Sequence, residues 1–227
     1  MRVRSVFAAT LAMVAFSTAD VSRAAAITFD SVGDTGMFHY GALVDGASLC
    51  ADVTYTLASW GGASATFKVA ATNCSTGAGS GSTANRLVSF GVGVVNPDLI
   101  SADVPGQTEW DAAANTNFPG LGTVDLCNFA GPNCSGGASL GVDMNATDQF
   151  GLTLMFASAV GVESPITFSG PFASKWQSVG TSGNGASVNG CLDGPNCTAN
   201  NVPEPGALAL LSIAAISFGV ARRRNAA

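Results

Sequence analysis

Short runs of alternating apolar and polar residues, each cut off by Gly, Asn, Asp or Pro, recur through the middle of the chain. This period-2 pattern is that of half-buried strands. The stretch from Cys50 to Cys74 carries it furthest. Read as a hairpin turning at Gly61-Gly62-Ala63, it sets Val53, Tyr55 and Leu57 opposite Ala71, Val69 and Phe67 on one side. The other side then carries Asp52, Thr54 and Thr56 against Thr72, Ala70 and Lys68. The same register places Cys50 directly across from Cys74, and a slip of one residue would undo both the apolar face and the cysteine pairing. The hairpin therefore predicts a cross-strand Cys50–Cys74 disulfide on the outward face.

Further strands are predicted at Ile27 to Phe29, Arg86 to Val95, Phe150 to Phe156, Pro165 to Phe168 and Lys175 to Val179. In the second of these Val88, Phe90, Val92 and Val94 share a side, and Asn96-Pro97-Asp98 ends it. Thr76 to Thr83 reads as a flexible Gly/Ser loop, and Leu99 to Thr123 mostly as connection. Gly180 to Asn201 has no cluster of core-forming residues and reads as a linker. The expected fold is all-β: an antiparallel, jelly-roll-like β-sandwich over residues 27–179, stapled by disulfides.

The two ends differ from this body. Met1-Arg2-Val3-Arg4 is basic, Val6 to Ala19 is apolar, and Ala24-Ala25-Ala26 offers small residues to a signal peptidase. Residues 1–26 therefore read as a cleaved signal peptide with an apolar helix, and the mature chain as starting at Ile27. The last 26 residues, 202–227, hold Pro203-Glu204-Pro205, an uncharged apolar run from Gly206 to Ala221, and Arg222-Arg223-Arg224. As a helix, a run of that length spans roughly 24 Å against about 30 Å of hydrocarbon, a short transmembrane helix. The arginines hold their end on the cytoplasmic side, which leaves everything before Pro203 outside.

This order of blocks resembles the PEP-CTERM sorting signal of Gram-negative bacteria. The resemblance is confined to the tail. It implies export, recognition of Pro203-Glu204-Pro205 by an exosortase, cleavage near that triplet, a transient stay in the inner membrane, and release to the cell surface or extracellular matrix.

Removing both signals changes the charge. The full chain has 9 basic and 15 acidic residues, but between Ile27 and Asn201 only Lys68, Arg86 and Lys175 are basic, against 13 acids, a net of −10. Such a surface repels nucleic acid and excludes it as a partner. All 6 cysteines lie in the exported segment, where an even number favours disulfides. Cys127 to Cys134 and Cys191 to Cys197 each close a small loop through Gly-Pro-Asn-Cys, which is turn chemistry, so local Cys127–Cys134 and Cys191–Cys197 bonds are predicted. Zinc is the alternative for these thiols, disfavoured by an oxidising compartment and by the spacing.

Patterns that carry chemistry are few in this chain. His39 has no second histidine with which to hold a metal and reads as a packed or surface side chain. Gly77, Gly79 and Gly81 precede neither a Lys nor a helix pattern, so no phosphate-binding cofactor is expected. Gly137-Ala138-Ser139-Leu140-Gly141 matches a nucleophile elbow, but the residues after it read as turn and strand, not helix. Asp143, Asn145 and Asp148 offer oxygens to calcium without forming an EF-hand loop. Glu109-Trp110-Asp111 sets two carboxylates on one side of an extended segment and an indole on the other. The pair could serve a glycosidase; the plainer reading is an exposed acidic loop with Trp110 turned inward. The expectation is a non-enzymatic surface or matrix protein associated with exopolysaccharide and biofilm. A carbohydrate-binding module, using Trp60, Trp110 or Trp176 as a platform, is the alternative, with a secreted glycoside hydrolase ranked behind it.

Overall fold

The computed structural model describes residues 26–79, 81–106, 109–137 and 139–191. The signal helix, the Cys191–Cys197 bond, the sorting triplet, the apolar run and the arginines expected from the sequence fall outside these residues. Among the described residues no helix is long and apolar enough to cross a membrane.

Strands make up almost all of the domain. In chain order they are β1 (Ile27–Phe29), β2 (Thr35–Val44), β3 (Ala47–Gly61), β4 (Ser64–Asn73), β5 (Thr76–Gly77) and β6 (Arg86–Asn96). β7 (Leu99–Asp103), β8 (Trp110–Phe118), β9 (Gly122–Ala130), β10 (Thr147–Phe156), β11 (Ile166–Val179) and β12 (Asn184–Cys191) complete them. The strands pair antiparallel in the order β7-β10-β4-β3-β2-β12-β11-β6-β9-β8, with β1 beside β11 and β5 beside β3. In place of the two separate sheets of a jelly-roll-like sandwich, a single sheet runs through β12 and curls on itself. Its ends, β7 and β8, lie side by side. The Asn115 amide of β8 donates to the Leu99 carbonyl of β7 at 2.8 Å, so the sheet is nearly a barrel.

The β3–β4 register is the one its alternation demands. Val53, Tyr55 and Leu57 face Ala71, Val69 and Phe67, all buried. Cys50 and Cys74 are bonded, with Cα atoms 4.8 Å apart, on the half-buried outer side. A register shift between Leu57 and Ser59 lets the strands turn at Gly62 and Ala63. The sheet has a first half, β7-β10-β4-β3-β2, and a second, β12-β11-β6-β9-β8, and their apolar sides meet in one aromatic core. Phe168 of β11 packs on Phe29, Phe38, Tyr55 and Phe67 at centroid distances of 5.1–6.3 Å. Burying one such ring is worth about 1.5–3 kcal/mol, so this cluster binds the halves together.

Four segments differ from the sequence expectation. Leu99 to Thr123 holds β7, β8 and the start of β9 rather than connection. Most of β8 is Ala, Asn and Thr, which gives no alternation to read, and its long ladder with β9 sets its conformation. The stretch read as a linker contains β12, in which Val188 is the clearly buried apolar side chain. Backbone ladders to β11 and β2 hold it instead. Thr76–Gly77 pairs with Ala47 and Ser48, a close approach that small residues permit. The two strands expected at 165–168 and 175–179 are one strand, β11, whose register shifts midway against β6.

A second, smaller core lies apart from the first: Phe118, Val124, Cys127, Phe129, Cys134 and Ala173. The Cys127–Cys134 bond, with Cα atoms 6.3 Å apart, closes the loop after β9 within it. That loop reaches β6, where the Ser89 hydroxyl donates to the Cys134 carbonyl at 2.7 Å. Gly136, at φ +77°, lies so close to Val88 that a Cβ there would clash. β6 is consequently buried on both faces from Arg86 to Val94.

Candidate functional site

Two places gather groups with chemical potential. One is a cleft of about 410 Å³ where the ends of β7 and β8 adjoin, lined by Asp103, Val104, Pro105, Gly106, Glu109, Trp110, Asp111 and Gly131. The C-terminal end of β7 brings Asp103 beside the Glu109-Trp110-Asp111 triplet that opens β8. All three carboxylates are exposed. Glu109 accepts the Gly141 N–H at 3.2 Å, and Asp111 accepts the N–H of Ala112 at 2.7 Å. Trp110 turns the other way. It is buried and stacks on Phe150, centroids 5.0 Å apart and planes within 15°. Its Nε1 donates to Asp148 at 3.2 Å. The cleft therefore offers water-exposed negative charge, without the indole face on which a sugar ring would stack.

The second place is on the outer side of β2 and β3. Their register sets His39 opposite Asp52, and Nδ1 lies 2.6 Å from the Asp52 carboxylate. The ring is largely covered while the carboxylate is substantially exposed. Histidine and carboxylate thus form a pair; sequence reading missed it because β2 alternates too weakly to show that it is β3's neighbour.

The remaining candidates are separated. Asp143 pairs with Arg86, Oδ1 lying 2.7 Å from Nε, and Asp148 is engaged by Trp110, so the two acids of the calcium reading serve different partners. Asn145 sits in the turn between them at φ +60°. Among the described residues no group of three or more His, Cys, Asp or Glu side chains is arranged to hold a metal. Ser139 lies in the loop before β10 and is followed by turn and strand, not by the helix a nucleophile elbow needs. Trp176 is fully buried and donates to the Ser174 hydroxyl at 3.0 Å, while Trp60 is half-buried at the β3–β4 hairpin end.

Polar groups inside the core join the two halves of the sheet. The Tyr40 hydroxyl donates to the Gly91 carbonyl at 3.3 Å, and the Asn128 amide donates to the Tyr55 hydroxyl at 2.8 Å. Burial holds the Tyr40 phenol far above its ordinary range; burial, with the neighbouring Tyr40 adding to it, does the same for Tyr55. At the surface the backbone N–H groups of Asp30 and Ser31 hold Asp34 below the usual carboxylate range. The Ser182 N–H, with the hydroxyls of Ser182 and Thr181, does so for Asp45.

Comparison with known proteins finds one family model, the PEP-CTERM protein-sorting motif, matching residues 201–224. No curated protein and no solved structure matches the chain. The tail thus carries a sorting motif that implies export, processing by an exosortase and a membrane-anchored intermediate.

Proposed function

We propose that this chain is a non-enzymatic protein of the cell surface or extracellular matrix, delivered there by its PEP-CTERM tail. The observation that carries the reading is the motif match at residues 201–224, which takes in Pro203-Glu204-Pro205, the apolar run and Arg222-Arg223-Arg224. In this reading a signal peptidase removes residues 1–26, the apolar run holds the chain in the inner membrane, and an exosortase cuts near the triplet. The β domain suits an exported life. Its two disulfides are of the kind that persist in an oxidising compartment. A net charge of −10 between Ile27 and Asn201 keeps the released domain soluble and away from anionic polymers. Exopolysaccharide association remains part of the proposal as a location in the matrix. It does not need a stacking platform, and the inward turn of Trp110 and Trp176 weighs against a carbohydrate-binding module built on them.

Intact mass of the protein recovered from its native host, with and without reduction before alkylation, tests this. The expected species begins near Ile27, ends close to Pro203 and takes up alkylating agent only after reduction. A species that keeps Arg222 to Arg224 would make the tail an ordinary anchor and sink the sorting reading.

A further inference from the structure

The two ends of the barrel differ in what they expose. One end is made by the β3–β4 turn, the 96–98 turn after β6 and the 157–165 loop after β10. Hydrogen bonds knit these together: Phe156 and Val160 N–H groups donate to the Ala63 and Gly62 carbonyls, and Ala157 donates to the Asp98 carbonyl. The Asn96 amide reaches the Pro165 carbonyl at 3.2 Å. Within two residues of these bonds stand Val95, Ile100 and Val162, which are 59%, 61% and 71% exposed, together with exposed Met155 and half-buried Trp60. Single exposed apolar residues are ordinary; four of the seven large ones converging on one loop cluster are not. At the far end, by the 45–46 and 180–183 turns, Leu43 is the one such residue among those described.

The direction of the chain says what this end faces. β12 starts beside the Asp45 turn, where the Thr181 N–H donates to the Asp45 carbonyl, and runs toward the apolar end. Further along β11 toward that end, β1 pairs with Ile166–Phe168. From Cys191 to Pro203 the chain can reach at most about 40 Å, and the sorting motif's apolar run comes next.

We infer that the apolar end is a shallow lipid-contact surface, seated on the outer face of the bilayer while the sorting tail is still inserted. The inference rests on the sorting reading and adds to it an orientation. Val95, Ile100, Met155 and Val162 enter the interfacial layer, and Trp60 sits at headgroup depth, as tryptophan does at membrane boundaries. Asp98 and Glu163 beside them set the lipid class: a zwitterionic surface is accepted and an anionic one disfavoured. The contact holds the domain against the membrane with its acidic cleft away from it, and it is given up when the tail is cut.

Trp60 supplies the test, since Trp110 and Trp176 are buried in the core. Full chain is reconstituted into phosphatidylcholine vesicles with brominated acyl chains, flotation reports tail insertion, and tryptophan emission reports lipid contact. The expected result is flotation with quenching that Trp60→Phe abolishes and that Ile100→Asp combined with Val162→Asp reduces by about half or more. Both aspartates replace exposed side chains, so flotation and the circular dichroism of the folded sheet stay unchanged. Chain that floats with unquenched tryptophan overturns the inference and leaves the sorting reading standing. Chain that does not float overturns both.

Discussion

The halves of this barrel each carry one disulfide, and the two bonds do different work. Cys50–Cys74 ties neighbouring strands on the outer side of β3 and β4, where the sheet has one face in the core and one toward water. Its hairpin already has a register fixed by alternating side chains, so the bond adds to something that side-chain packing defines. Cys127–Cys134 is itself core: its sulfurs lie among Phe118, Val124 and Phe129, with Cys127 fully buried and Cys134 nearly so. It holds down the loop that covers the second face of β6. In the first half a covalent bond reinforces a pattern; in the second it replaces one.

The largest effect concerns what joins the halves rather than either half alone. The chain has 2 tyrosines, both fully buried, and each bridges from the first half to the second. Their phenols ionise freely only in the unfolded chain. Stability from a group whose folded pKa is raised is complete below the unfolded value, near 10, and falls as pH rises above it. Each tyrosine withdraws up to about 1.4 kcal/mol per pH unit there, so the pair removes roughly 5 kcal/mol by about pH 12. Tyrosinate absorbance should then appear together with loss of near-ultraviolet circular dichroism, in one transition. Gradual ionisation of a still folded barrel would mean that the halves are joined more loosely than these hydrogen bonds indicate.

The disulfides can be compared directly. The chain-entropy model favours the bond closing the longer loop: about 3.5 kcal/mol for Cys50–Cys74 against about 2.5 for Cys127–Cys134. Burial reverses the order, because replacing Cys127 and Cys134 with Ala also empties space in the small core, adding about 1–2 kcal/mol. We expect the Cys127→Ala, Cys134→Ala chain to lose about 4 kcal/mol in urea unfolding, and the Cys50→Ala, Cys74→Ala chain about 2–3, since part of its loop entropy is already lost in residual hairpin structure. An equal or opposite order would show loop length outweighing core packing. A sharper reading comes from the rate of reduction in native buffer. Cys50–Cys74 is half-exposed and should be reduced first, with Cys127–Cys134 opening only when the loop or the whole domain unfolds.

Legibility in the sequence divides along the same line. The first half is readable because only one face is buried: Val53, Tyr55 and Leu57 alternate with Asp52, Thr54 and Thr56, and both cysteines fall into the register this implies. The second half is opaque for a physical reason. β6 is covered on both sides, so period-2 reading finds the strand and misses the second layer over it. β8 is Ala- and Asn-rich, and β12 is held by backbone pairing rather than by side-chain burial. The cleft is half legible. The carboxylates of Glu109 and Asp111 and the inward turn of Trp110 come from strand geometry. Asp103 joins them because Leu99 to Thr123, whose composition reads as connection, holds the consecutive strands β7 and β8 side by side. Asn73 is invisible for a similar reason: its buried amide stitches Asn85 and Val142 carbonyls together, and nothing in an Asn announces that.

The smallest expected effect tests how firmly β12, the weakest strand by composition, is pinned where the halves join. Asp45 accepts the Ser182 N–H at 2.7 Å and the Thr181 hydroxyl at 2.9 Å, tying the turn before β12 to the turn after β2. These bonds favour the charged carboxylate and hold its pKa below the ordinary value. The stabilisation is therefore present above the unfolded pKa, near 4, and disappears as pH falls through the lower folded value. Asp45 is exposed and solvent screens it, so Asp45→Asn should lower Tm at neutral pH by only about 1–3 °C, and by less as the pH falls below the ordinary carboxylate range. Amide exchange localises the effect: protection should drop in Thr181 to Ala186 and stay unchanged in β3 and β4. Loss of protection throughout the first half would show that this turn, rather than the aromatic cluster around Phe168, governs how the two halves hold together.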